Sequence, residues 1–162
     1  VQSEALRGFR RWASAIAAFE KSDREDRPPK GGILFVGSSS IVRWDLKKSF
    51  PGLGAINRGF GGSQIVDSTY FAPQIILKHR PRLVVFYAGD NDIAGGKTPE
   101  EVLGDFRSFV ETVQTALPNT KIAFLAIKPF VNPKPTPAPA KPKPQKPTKP
   151  KKGKKAAEKL SF

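Results

Sequence analysis

Few residue types in this 162-residue chain can do covalent or metal chemistry. It has no Cys and one His, His79, which excludes disulfides, thiolate zinc sites, cysteine nucleophiles and a multi-histidine metal centre. No cofactor is expected. What remains are hydroxyls, side-chain amides and backbone N–H groups, concentrated in three stretches: Gly37-Ser38-Ser39-Ser40-Ile41, Asn57-Arg58-Gly59-Phe60-Gly61-Gly62-Ser63 and Ala88-Gly89-Asp90-Asn91-Asp92. Hydroxyls and fixed N–H donors are two of the three parts that acyl transfer needs: a hydroxyl nucleophile, donors aimed at the oxygen that becomes negative in the tetrahedral intermediate, and a base for the hydroxyl proton. Taken singly, each stretch reads first as turn chemistry. Their joint occurrence, each directly after a predicted strand, points to a site.

The elements that must position these loops follow from the apolar pattern. Leu6, Phe9, Trp12, Ala13, Ile16 and Phe19 recur at helical spacing, predicting a first helix that ends near Lys21, before the polar loop SDREDRPPKGG. Ile33–Val36 is a short apolar run bounded by glycines, suited to a strand buried on both faces; Ala55–Asn57, Leu83–Tyr87 and Ile122–Ile127 repeat the type. Between them, Ile65–Lys78 reads as a helix interrupted at Pro73. Thr98-Pro99-Glu100-Glu101 supplies an N-cap, a proline in the first turn and a capping-box Glu. Val102, Phe106, Phe109, Val110, Val113 and Leu117 then give the last helix one apolar face, and Pro118-Asn119 ends it. Helices alternating with buried strands predict an α/β fold with a mainly parallel sheet covered on both sides. Ligands of such sheets bind outside the carboxyl ends of the strands, where all three loops fall.

Charge is unevenly spread. The formal net charge is +14, but residues 1–128 hold 18 Lys+Arg against 13 Asp+Glu, whereas 129–162 hold 10 Lys and one Glu together with 9 of the 16 prolines. The chain therefore reads as a folded domain over 1–128 and a disordered Pro/Lys-rich basic tail over 129–162, with polyproline II stretches. The longest apolar runs, Leu83–Ala88 and Ile122–Ile127, are about a third of the ~20 residues a membrane helix needs, so a soluble chain with no membrane span is expected. The sequence begins at Val1 without Met; the N-terminus reads as incomplete, and localisation is unreadable.

The three stretches together resemble the SGNH (GDSL-like) hydrolase family. ILFVGSSSIVRW is similar to its first block, NRGFGGS to its second and VVFYAGDNDI to its third, in family order. The resemblance covers essentially all of residues 30–128. It implies a three-layer α/β/α sandwich with a flavodoxin-like sheet, whose family strand order is 2-1-3-4-5, here 2-1-3-4 and truncated before the fifth strand. It implies the catalytic roles too: Ser39 stands at the nucleophilic serine, Ser38 where many members have Asp, and Gly62 and Asn91 at the oxyanion-hole glycine and asparagine. Ser39 would add its own backbone N–H to that hole. Physically these types suit the work, because Gly62 has no Cβ to keep its N–H from the oxyanion and Asn91 is a neutral donor. The alternative reading of Asn91 is an ordinary turn residue of the Gly89–Ile93 loop. Ser40 and Ser63 read as loop or N-cap residues and Trp44 as packing.

The sequence departs from the family in its fourth block, Asp-x-x-His: residues 129–162 contain neither His nor Asp. His79 precedes Pro81 and the third strand, and a five-residue strand spans roughly 17 Å, which places it at the wrong edge of the sheet and makes it a surface or packing residue. The expected function is a serine hydrolase of carboxylic esters, acting on a small-molecule ester and impaired by loss of the Asp/His block. The alternative is a catalytically inactive binding protein whose basic tail holds anionic polymers non-specifically. A third reading has a partner chain supply the missing strand and histidine across the exposed edge of the fourth strand; oligomeric state is not legible.

Overall fold

The structure is a computed structural model in which residues 8–127 are described. The expected basic tail, 129–162, lies outside the described residues. The elements are α1 (Ala13–Asp26), β1 (Ile33–Gly37), α2 (Ser39–Val42), α3 (Leu46–Ser49), β2 (Ile56–Gly59), α4 (Ile65–Tyr70), α5 (Ala72–Ile75), a 3₁₀ turn (Leu77–His79), β3 (Leu83–Tyr87), α6 (Asp90–Ala94), α7 (Pro99–Ala116) and β4 (Lys121–Phe124). The four strands form one parallel sheet in the order β2-β1-β3-β4, the α/β sandwich topology expected.

Alternation along the strands separates two cores, as the period of two requires. Leu34, Val36, Val84 and Phe86 face a layer of long helices and pack with Ile16 of α1, Ile65 of α4, Ile75 of α5, and Val102, Phe109 and Val113 of α7. Ile33, Phe35 and Tyr87 face the other way, onto Ile41 of α2 and Leu46 of α3. Trp44 packs there against Phe35 and Phe50 and donates its indole N–H to Ser49 Oγ at 2.9 Å, the packing role expected of it.

The capping box of α7 forms as expected: Thr98 Oγ1 accepts from Glu101 N–H at 3.2 Å and Glu101 Oε2 accepts from Thr98 N–H at 2.7 Å. Its apolar face buries Val102, Phe109 and Val113, and Phe109 stacks on Phe86 with ring centroids 4.0 Å apart.

Other boundaries differ from the expectation for physical reasons. The first helix runs five residues beyond Lys21, to Asp26, because its polar last turns find partners: Lys21 pairs with Glu25 at 3.8 Å and Asp23 joins a buried ion cluster. It stops at Arg27, in the left-handed region ahead of Pro28. The break in the 65–78 helix falls at Phe71, not Pro73, because Pro73 sits in the first turn of α5, where its missing N–H costs nothing. β2 begins one residue later than read and extends to Gly59, opposite Gly37 of β1. β4 is shorter than read, and it is not buried on both faces: Ile122 is half-buried, while Ala123 and Phe124 are exposed. It is one of the two edge strands of the sheet among the described residues, β2 being the other. Among the described residues no helix is long and apolar enough to cross a membrane.

Truncating Phe109 removes a fully buried ring from this core, so Phe109→Ala is expected to cost about 3–5 kcal/mol. Leu103, 47% exposed on the same helix, is expected to cost within about 0.5 kcal/mol on truncation to Ala. Urea denaturation midpoints of the two variants check both values.

Candidate active site

Three strands end side by side in the register Gly59–Gly37–Tyr87, and the three loops of interest leave from there. Gly37, at φ +139°, lies so close to Tyr87 that a Cβ would overlap its carbonyl oxygen, so only glycine closes this strand end. The chain then turns through Ser38, buried and extended, whose N–H donates to the Tyr87 carbonyl at 2.9 Å and whose hydroxyl donates to Asp90 Oδ1 at 3.3 Å. Ser39, half-buried, is the first residue of α2, and its Oγ accepts a long hydrogen bond, 3.4 Å, from the Arg43 guanidinium one turn later.

The loop after β2 is fixed to the first by Phe60 N–H, which donates to the Gly37 carbonyl at 2.9 Å. Gly61 faces Ser39: a Cβ on Gly61 would lie 4.0 Å from the Ser39 Cβ. Gly62 is exposed and left-handed, φ +77°. Its carbonyl accepts from the Arg11 guanidinium at 3.0 Å, and the Trp12 ring lies 3.5 Å from where a Cβ would stand. Arg11 also stacks on Trp12, 4.2 Å from the ring centroid, and Trp12 meets Phe60 edge-on.

The third loop is stitched to the second. Asn91 Nδ2 donates to the Ser63 carbonyl at 2.9 Å, while Gln64 Nε2 donates to the Asn91 carbonyl at 3.4 Å. Asp90 Oδ1 accepts from Asn91 N–H at 3.0 Å, so this one carboxylate holds both Ser38 and Asn91. Asp92, fully buried, accepts the Ile65 N–H at 3.2 and 3.3 Å and the Lys97 ammonium at 3.0 Å. Burial pulls the Lys97 ammonium's pKa down, but its hydrogen bonds to Asp105, at 2.6 Å, and to Asp92 outweigh that and hold it above the ordinary lysine value.

The β2 loop thus touches both of its neighbours, Ser39 through Gly61 and Asn91 through Ser63. Gly62 lies between those two contact residues in sequence, with Arg11 and Trp12 against it. Ser63 is buried and Ser40 half-buried in α2. The sequence reading assigned no role at this site to Arg11, Trp12, Arg43 or Asp92. Only Arg43 had a local signal, its i+4 spacing from Ser39 at a helix start; the others arrive through contacts remote in sequence.

His79 stands elsewhere. It is buried in the 3₁₀ turn that leads into the amino end of β3, with Nε2 3.3 Å from Asp23 Oδ2. Asp23 also pairs with Arg58 and, at 2.6 Å, with Lys78. This is the packing role expected of His79, with a buried ion cluster added. Burial lowers the pKa of the imidazole below the ordinary histidine value; the Asp23 charge opposes this, and Arg58 and Lys78 reinforce it. Desolvation alone would raise the Asp23 carboxyl, but the Lys78 hydrogen bond and the charges of Arg58, His79 and Lys78 bring it below its usual range. Among the described residues no cluster of three or more His, Cys, Asp or Glu could hold a metal ion.

Comparison with known proteins agrees with the fold. The model of the GDSL-like lipase/acylhydrolase family matches residues 37–160. A platelet-activating factor acetylhydrolase IB subunit alpha1 of Bos taurus is 28% identical over 129 residues, 76% of this chain and 53% of its own length. The alpha2 subunit of Gallus gallus is 28% identical over 132 residues, 78% of this chain and 56% of its own. The chain therefore spans about half the length of these relatives. In fold, it is similar to a solved structure from Streptococcus pneumonia provisionally named a platelet activating factor, with TM-score 0.65 and 20% identity over 77% of this chain and 61% of that one. A GDSL-like lipase of Bacteroides thetaiotaomicron gives TM-score 0.54 and 23% identity, covering 72% and 56%.

The lowered pKa of His79 has a stability consequence with a definite sign. Between the ordinary histidine pKa, about 6.5, and the lower folded value, the unfolded chain binds a proton that the folded chain refuses. Stability from this group is fully present above about pH 6.5 and is lost as pH falls toward the folded pKa. Asp23 acts in a separate, more acidic window, below the ordinary Asp value. Urea denaturation from pH 7 downward is expected to show this loss, and His79→Gln is expected to flatten the slope just below pH 6.5; an unchanged slope in the variant refutes the assignment.

Proposed function

The chain belongs to the GDSL-like lipase/acylhydrolase family, and on that basis we propose that it is a serine esterase scaffold acting on carboxylic esters, with Ser39 as nucleophile. Ser39 Oγ attacks the acyl carbon, its proton leaves to a base, and the alcohol departs to give an acyl-enzyme that water then hydrolyses. The oxyanion hole consists of the N–H groups of Ser39 and Gly62 and the Asn91 amide. The observation that carries this reading is the stitching of three strand-end loops: Gly61 against Ser39, and Asn91 bonded to the carbonyl of Ser63. It supports a preorganised donor set, because donors fixed before reaction need no reorganisation when charge develops.

The base is the weak part of the machinery. The chain's one histidine is engaged by Asp23 at the amino end of the sheet, and residues 129–162 contain no His and no Asp. Loss of the base from a comparable triad costs about 10⁶ in turnover, while the oxyanion hole retains some catalysis. The reading is therefore an esterase impaired unless a base comes from outside this sequence. The relatives' names, acetylhydrolases, support an acetyl ester as the first substrate.

Hydrolysis of p-nitrophenyl acetate by the full chain is expected to be slow and to vanish in Ser39→Ala, together with labelling by a fluorophosphonate. Asn91→Ala is expected to reduce the rate about 10²- to 10³-fold, the usual effect of removing one oxyanion donor. Equal rates and labelling in parent and Ser39→Ala would sink the esterase reading. They would favour the second one, an inactive binding protein using the 10 lysines of 129–162, for which steeply salt-dependent binding to an anionic polymer is the signature.

A further inference from the structure

Two guanidinium groups touch the proposed reaction centre: Arg43 at Ser39 Oγ and Arg11 at the Gly62 carbonyl. Other cations packed into this domain are matched to acids, Arg58 and Lys78 to Asp23, and Lys97 to Asp92 and Asp105. Arg11 and Arg43 have no carboxylate within 4 Å among the described residues. Each spends one nitrogen on a neutral oxygen and keeps the rest of its fork free. Both are exposed, so neither charge is buried at a cost, and both can meet an anion arriving from solvent. Arg11 is steadied by its stack on Trp12, and Arg43 by its place at the end of α2, one turn after Ser39.

A planar fork of N–H donors beside a reacting centre is suited to a carboxylate or phosphate, which it binds in two-point geometry. We propose that the site selects esters carrying an anionic group close to the scissile carbonyl, held by Arg43, with Arg11 at the Gly62 carbonyl as the second guanidinium. This rests on the reading of Ser39 as nucleophile and names its substrate class. Binding energy from the anion would fix the acyl carbon against Ser39 Oγ, the form of help a site with a weak base most needs.

The test uses the full chain and three esters: neutral phenyl acetate, 4-acetoxybenzoate with its charge on the alcohol, and monophenyl succinate with its charge on the acyl group. The quantity read is kcat/KM for each anionic ester relative to phenyl acetate, in the parent, Arg43→Gln, and Arg11→Gln with Arg43→Gln. The preference for one or both anionic esters is expected to fall about tenfold in Arg43→Gln, further in the double variant, and likewise in the parent at high salt. Which ester responds tells which side of the substrate carries the charge. A preference identical in parent and variants overturns the proposal. Binding separates it from the esterase reading: calorimetric titration of 4-acetoxybenzoate and monophenyl succinate into Ser39→Ala, with and without Arg43→Gln, needs no turnover. An affinity about tenfold weaker without Arg43 supports the anion site even if no ester is hydrolysed, and equal or undetectable binding in both overturns it. The lysines of 129–162 are common to all variants and cancel.

Discussion

A buried carboxylate, Asp92, is the constraint around which the loops are arranged. A carboxylate fully removed from water must be met by donors or neutralised, and Asp92 is met by the first N–H of α4 and by Lys97. One donor belongs to the segment after β2 and the other to the segment after β3. The two loops therefore share an anchor that neither could supply alone. Asn91 sits between that anchor and Asp90, whose carboxylate holds the Asn91 N–H and the Ser38 hydroxyl. Three loops are thereby fixed by two acids, Asp90 and Asp92, one on either side of Asn91 in sequence.

The sheet below distributes its burden unequally. One face carries α1, α4, α5 and α7, and the other carries the four-residue helices α2 and α3 beside β1. α1 links the two ends of the structure: near its carboxyl end Asp23 gathers Arg58, Lys78 and His79, and at its start Trp12 meets Phe60 and the Gly62 turn. A 14-residue helix is about 21 Å long, so the ion cluster that seats one end also sets where the other end touches the site.

Much of the fold was legible from residue pattern, and the reasons are local. β1 and β3 are apolar runs between clear punctuation, and α7 announces itself by Thr98, Pro99 and Glu101. The errors came where long-range contacts outrank local signal. Ser22–Asp26 look like a polar loop, but Asp23 is drawn into the helix by Arg58 and Lys78, remote in sequence. Ile122–Ile127 looks like a core strand, yet burial belongs to the layers around a strand and not to the strand itself. At the site, Ser39, Gly62 and Asn91 were named by resemblance to a family's blocks. Arg11 and Trp12 had no such signal, since a contact made across 51 residues leaves no spacing to read. Asp92 looked like one more acid of a turn; only its complete burial shows what it holds.

The two tryptophans lie on opposite sides of the sheet, Trp12 with the long-helix core and Trp44 with the short-helix core. Trp12 alone adjoins the Gly62 turn, under a stacked guanidinium. Indole emission follows the polarity and charge around the ring, so the protein carries its own optical gauge of that turn. With Trp44 replaced by phenylalanine, the remaining indole fluorescence would come from beside the Gly62 turn, and ligand occupancy there could be followed in real time without any attached dye.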